Sequence, residues 1–154
     1  MKMNKILPLL ILSLFSITSV FADEEIVAVE TEQYFTENGD SVFLKINFTL
    51  SDNWMVYDSI MGDGGPIPLT FDFSKLNNVV LVEIIKPEHL HKKHDEIFEV
   101  DMLYFKENVS YQFVFVKVDN TKSYNIAGSF EYMCCNLTSG VCLAPRIIEL
   151  DEIK

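Results

Sequence analysis

The sequence predicts an all-β fold, an antiparallel β-sandwich, and three observations lead there. Apolar residues recur with the two-residue period of half-buried strands. Turn-forming clusters interrupt the chain about every ten residues, the spacing of short sandwich strands. No segment carries the periodicity of a long helix; Phe73 to Asn77 has room for one helical turn at most.

The first 22 residues stand apart from the fold. Lys2 and Lys5 give a basic start, Ile6 to Val20 is an apolar run, and Val20 and Ala22 put small residues at the −3 and −1 positions. This is the pattern of a secretory signal cut after Ala22. The run is interrupted by Pro8 and several serines and is short for a membrane span. The mature chain is then one domain, residues 23–154. It keeps ten of the 12 basic residues against 23 acidic ones, a formal charge of about −13. Such a surface repels nucleic acid and anionic lipid. A soluble monomer that does not span a membrane once its signal is removed is the expected form.

The strands follow in order. Ile26 to Phe35 comes first, and Glu37-Asn38-Gly39-Asp40 is a hairpin turn. Val42, Leu44, Ile46, Phe48 and Leu50 then alternate with Phe43, Lys45, Asn47 and Thr49. Gly62 to Pro66 is too glycine-rich for a regular element. Val79 to Ile85 and Val109 to Val118 are nearly continuous apolar runs, suited to central strands. Asp119 to Lys122 is a turn, and Asn125 to Cys135 is a strand.

Three cysteines, Cys134, Cys135 and Cys142, lie near the end of the chain. Three is an odd count, so in an oxidising compartment one thiol stays free or pairs elsewhere. Alternation puts Phe130, Tyr132 and Cys134 on one face and Glu131, Met133 and Cys135 on the other. The face with two aromatics is the better core candidate. Cys134 is therefore read as a small buried apolar residue. Cys135 precedes the turn Asn136 to Gly140, and Cys142 follows it. Cys135–Cys142 is the favoured pair, with Cys134–Cys142 the alternative. Chain entropy gives a loop of this size only about 2.5 kcal/mol. On these residues alone, a structural staple and a redox pair are equally supported.

Other constellations carry less. His89, His91 and His94, followed by Asp95 and Glu96, have ligand chemistry for zinc or copper, but Lys92 and Lys93 interrupt them. A solvated charged loop is the better reading, and no metal is expected. Asn47, Asn108 and Asn136 open sequons that chance explains. No nucleophile–base order, phosphate loop or cofactor motif stands out, and no cofactor is expected.

Glu131-Tyr132-Met133, Cys135-Asn136, Cys142-Leu143 and Pro145 resemble the last strands of the N-terminal periplasmic domain of the DsbD thiol:disulfide interchange family. Trp54-Met55-Val56-Tyr57 is similar to the family's aromatic strand beside the active cysteines. Gly64 to Pro68 is similar to a loop of its single-domain forms, and Asp95-Glu96-Ile97-Phe98 resembles its cap loop. The departures are Ala144 in place of a proline, Met55 in place of an aromatic, and Cys134 in place of a residue such as valine. The resemblance implies an immunoglobulin-like sandwich and a redox relay in the periplasm. Cys142 would form mixed disulfides with thioredoxin-fold partners, and Cys135 would resolve them. Ile97 or Phe98 would lie over the disulfide, and Tyr57 would wall the site. Asp95 and Glu96 would disfavour the thiolate. The sequence lacks the family's membrane and thioredoxin domains, so a separate membrane electron donor is expected. A non-catalytic binding module with Cys135–Cys142 as a staple, and a metal chaperone using the histidines, are the alternatives.

The leader makes the first testable outcome. Intact mass of the exported protein should correspond to a chain starting at Asp23; a mass that includes residues 1–22 would contradict the assigned cut.

Overall fold

The computed structural model describes residues 26–37, 39–96 and 98–153. The expected signal segment and its cut, Asn38 of the first turn and Ile97 of the expected cap lie outside them. Eleven strands form among the described residues: β1 Val27–Phe35, β2 Ser41–Leu50, β3 Trp54–Met61, β4 Thr70–Asn77, β5 Val79–Ile85, β6 His91–Asp95, β7 Val100–Phe105, β8 Val109–Lys117, β9 Asn125–Tyr132, β10 Cys134–Asn136 and β11 Arg146–Ile153. They make sheets ordered β1-β2-β8-β5, β10-β3-β7-β6 and β11-β9-β4. Every pairing is antiparallel. The fold is an immunoglobulin-like β-sandwich.

Alternation along the strands builds the main core. Val42, Leu44, Ile46 and Phe48 of β2 and Tyr111, Phe113 and Phe115 of β8 are buried, and their neighbours along each strand are less so. They meet Ile126, Phe130 and Tyr132 of β9 and Val56, Phe105 and Cys134 from the β10-β3-β7-β6 sheet. Phe48 is the hub. Its ring centroid lies 5.7 Å from Phe105, 5.9 Å from Tyr111, 5.5 Å from Phe130 and 6.2 Å from Tyr132, all edge-to-face, the arrangement that aromatic quadrupoles favour.

The β10-β3-β7-β6 sheet is apolar on both sides. Its second face carries a separate cluster of Met55, Tyr57, Val100, Met102 and Cys135. A β-bulge between Tyr57 and Ser59 in β3 adjoins Asp58, the buried charged residue of the described chain. Tyr111 donates its hydroxyl proton to Asp58 Oδ1, and Lys86 Nζ donates to Asp58 Oδ2 at 3.0 Å. Burial, and then the hydrogen bond and charge of Asp58, hold the Tyr111 hydroxyl far above its ordinary pKa.

Three segments differ from the sequence expectation. Val79–Ile85 is an edge strand: β5 pairs only with β8, and Val80, Val82, Ile84 and Ile85 are exposed. A continuous apolar run marks a strand but not its place in the sheet. Phe73 to Asn77 belongs to strand β4, not to a helical turn. Its turn-like signal is a local one, because Ser74 N donates to Asp72 Oδ1 at 2.8 Å inside a bulge between Asp72 and Lys75. Gly128 of β9 faces that bulge, and a Cβ there would run into the Asp72 carbonyl oxygen. His91–Asp95 is strand β6, not a solvated loop. Its polar side chains find partners on β7 and β3 instead of a dry core.

The predicted turns form. Gly39 N donates to Thr36 O at 2.9 Å between β1 and β2. In the Asp119–Lys122 turn, Lys122 N donates to Asp119 O at 3.2 Å. That turn is anchored by the Asn78 amide, which donates to the Asp119, Lys122 and Ser123 carbonyls.

Phe48→Ala should destabilise the protein by about 3–5 kcal/mol in denaturant unfolding, because it removes the ring that four others pack against. A loss under about 1 kcal/mol would show that this ring is not the hub.

Candidate functional site

The site begins with a tight hairpin. Asn136 Oδ1 accepts from Thr138 N at 3.0 Å and Ser139 N at 2.9 Å, and Gly140 N donates to Asn136 O at 2.9 Å. Gly140 takes φ 72°, where a residue without Cβ is least strained. The chain therefore returns beside itself. Asn136 N donates to Val141 O at 2.8 Å and Leu143 N donates to Cys134 O at 3.0 Å. These two bonds flank a non-hydrogen-bonded pair, the register in which side chains come closest. That pair is Cys135 and Cys142, and they are joined as a disulfide with Cα atoms 4.0 Å apart.

Of the two pairings weighed from the sequence, the structure has Cys135–Cys142. Cys134 is free and buried in the main core. Desolvation pushes its thiol pKa up, and the charge of Arg146 offsets part of that. Cys135 faces the second cluster. Antiparallel pairing of β10 with β3 sets Cys135 opposite Met55 and Asn136 opposite Trp54. The aromatic strand singled out in the sequence does lie beside the cysteines.

A cavity of about 650 Å³ opens over the pair, and Tyr57, Lys93, Asp95, Phe98, Cys135 and Cys142 are on its wall. Gly65 and Pro66 of the β3–β4 loop also border it. The two cysteines are unequal. Cys135 is 1% exposed, whereas Cys142 is exposed. Phe98 N donates to Asp95 Oδ1 at 3.1 Å, so the Asp95 side chain closes the β6–β7 turn that presents Phe98. Phe98 is half-exposed and borders the pair without burying Cys142. Glu96 is exposed and off the cavity wall, and Ile97 lies outside the described residues.

Lys93 is the site residue that sequence reasoning missed. Its Nζ donates to the Tyr57 hydroxyl oxygen at 3.1 Å and sits 4.9 Å from the Tyr57 ring centroid and 5.9 Å from that of Tyr104. The signal was available. If Asp95 faces the cysteines, Lys93, two residues earlier on a strand, faces them too. The cavity is thus not lined by acid alone.

His91 and His94 do not converge. His91 Nε2 pairs with Glu107 at 2.9 Å and stacks on Tyr104, while His94 Nδ1 pairs with Asp101 at 2.9 Å. They are an odd number of residues apart on β6 and take opposite faces, so they cannot share one ion. Among the described residues, no group of three or more His, Cys, Asp or Glu is placed to hold a metal. No helix among them is long and apolar enough to cross a membrane.

Comparison with known proteins gives one family. The chain matches "Thiol:disulfide interchange protein DsbD, N-terminal" over residues 23–150. No curated protein matches. Among solved structures, the N-terminal periplasmic domain of ScsB from Proteus mirabilis is similar at 17% identity and a TM-score of 0.55. That match covers 84% of this chain and 48% of the other, so this chain spans about half its length. The reduced DsbD N-terminal domain of Neisseria meningitidis is similar at 19% identity, over 82% of this chain and 84% of that one, with a TM-score of 0.47.

The hairpin that carries Phe98 has an acid-sensitive brace. Lys92 Nζ lies 2.7 Å from Asp101 Oδ2, and Lys92, then His94, hold the Asp101 carboxyl below its ordinary 3.8. A depressed carboxylate contributes stability above the unfolded value and loses it as pH falls through the folded one. Amide protection along β6 and β7 should therefore drop as pH is taken below 3.8, and Lys92→Met should flatten that dependence. Protection unchanged through this range in the parent protein would exclude the brace.

Proposed function

The chain belongs to the N-terminal-domain family of the thiol:disulfide interchange protein DsbD, and on that premise we propose that it relays reducing equivalents between proteins through Cys135 and Cys142. The observation that carries this reading is the asymmetry of the pair: an exposed Cys142 bonded to a buried Cys135. Exchange needs a thiolate and an accessible sulfur in line. Cys142 is the one that a protein can reach.

This geometry supports one cycle. With the pair reduced, the Cys142 thiolate attacks one sulfur of a partner disulfide. A mixed disulfide forms, and the partner's other sulfur leaves as a thiolate. The Cys135 thiolate then attacks the Cys142 sulfur, which closes the Cys135–Cys142 bond and releases the partner as a dithiol. Two electrons have passed to the partner. A membrane dithiol donor reopens the pair by the same exchange in reverse.

The partners that fit are thioredoxin-fold proteins, whose reactive disulfides are exposed at a surface. Phe98, Leu137, Val141 and Leu143 are exposed apolar residues around or near Cys142, the kind of rim that a docked protein covers. Phe98 and Tyr57 wall the pair, and Asp95 holds the Phe98 turn in place. Docking would lift Phe98 away from the cavity. The cap and wall roles of Asp95, Glu96, Ile97, Phe98 and Tyr57 are part of this proposal. Periplasmic location is supported by the described compartment of the Proteus mirabilis domain and by a family match that begins at Asp23, directly after the expected signal. A monomer suits such a shuttle.

Trapping tests the reading. In Cys135→Ala the mixed disulfide cannot be resolved, and Cys142 should accumulate covalent adducts with thioredoxin-fold proteins from periplasmic extract. Adducts confined to Cys134, or a parent disulfide that opens only when the fold unfolds, would leave the bond as a staple.

A further inference from the structure

The resolving step makes a demand that the second cluster does not meet by itself. Cys135 is buried among Met55, Tyr57 and Met102, and burial in apolar surroundings opposes the thiolate. Yet Cys135 must be the nucleophile that attacks Cys142. A cation on the same face would make this possible.

Lys93 is placed for it. β6 pairs with β7 so that Lys93 opposes Met102, and β7 pairs with β3 so that Tyr104 opposes Tyr57. Lys93, Tyr57 and Cys135 then share one face and one cavity wall. The ammonium occupies the hydroxyl oxygen of Tyr57 as its acceptor, at 3.1 Å, which leaves the phenol proton to be donated. The groups around them are defined. Asp95, on the same strand, opposes a thiolate but is engaged with Phe98 N. Tyr104 contributes its ring and His91 is held by Glu107. Lys86 is committed to Asp58, Lys92 to Asp101, and Arg146 acts on Cys134.

We infer that Lys93, acting with the Tyr57 hydroxyl it holds, is the positioning residue that makes Cys135 available as a thiolate for the resolving attack. The inference rests on the exchange reading and deepens it. In the step, the proton of Cys135 leaves to solvent through the open cavity. The Cys135–Cys142 bond forms, the Cys142–partner bond breaks, and the electron pair departs on the partner sulfur. Lys93 forms no bond to the reacting atoms; it stabilises the charge before the attack.

The test reads each thiol of the reduced protein by NMR, from the pH dependence of isotope-labelled cysteine Cβ signals. Lys93→Met should raise the Cys135 midpoint by about half a pH unit, the effect of removing an opposite charge from the far side of the shared cavity. Lys93→Gln should do the same and serves if the Met variant does not fold. Lys93→Arg should restore most of the shift, and Tyr57→Phe should reproduce part of it. Cys134, on the opposite face, should not move. An unmoved Cys135, a shift of Cys142 in its place, or an Arg variant that behaves like Met would overturn the inference. A shifted Cys135 without partner adducts in the trapping experiment would overturn the exchange reading alone. Adducts with an unmoved Cys135 would overturn the role of Lys93 alone.

Discussion

Neighbouring residues of a β-strand face opposite ways, and at Cys134 and Cys135 that constraint organises the protein. Cys134 belongs to the main core with Phe130 and Tyr132, and Cys135 belongs to the second cluster with Met55 and Tyr57. One strand of three residues therefore sorts two identical side chains into different chemistry. For both faces to be dry, the sheet that carries β10 must be covered on both sides. The sandwich covers one, and the site covers the other. The site is thus built on the outer face of a sheet whose inner face is already fixed by packing around Phe48.

That arrangement shapes the electrostatics. The buried charge among the described residues is Asp58, whose two carboxylate oxygens are taken by Tyr111 and Lys86. The second face carries fewer buried side chains and an open cavity. Its charges, Lys93 and Asp95, lie two residues apart on one strand, and each is already tied: Lys93 to Tyr57 and Asp95 to the turn beneath Phe98. Opposite charges held at fixed points leave a thiolate in the cavity under two competing influences. Their balance depends on which lies nearer the reacting sulfur.

Much of this was legible in the sequence, for identifiable reasons. The strands with one dry face, above all β2 and β9, show themselves because alternation is what a half-buried strand requires. The Cys135–Cys142 pair was legible for the same reason, since alternation separates Cys134 from Cys135. Sheet order was not. The apolar run of β5 reads as central, but position depends on pairings with distant segments that composition does not encode. β4 was obscured by the Asp72–Ser74 hydrogen bond, a turn signal inside a strand. β6 was obscured by its charge: an edge strand whose residues pair with Glu107, Asp101 and Tyr57 needs no apolar face. Lys93 was lost with it, because a loop has no alternation from which to place a side chain.

The hairpin also bears on whether its bond is structural or chemical. The Asn136 side chain closes the turn through two backbone N–H groups, and main-chain bonds from Asn136 to Val141 and from Leu143 to Cys134 hold its arms together. Leu137 N is tied to Asn53 O of the β2–β3 turn at 2.7 Å. The register that brings Cys135 and Cys142 together is therefore held by main-chain hydrogen bonds as well as by the sulfur–sulfur bond. A cross-link stabilises mainly by removing freedom that the unlinked chain would otherwise have. Here the linked loop is short, with the two cysteines seven residues apart, so the freedom removed from the unfolded chain is small. What the disulfide adds to the fold is correspondingly small. A short link across a hairpin whose arms are already joined by main-chain bonds adds less to stability than a staple between distant strands would.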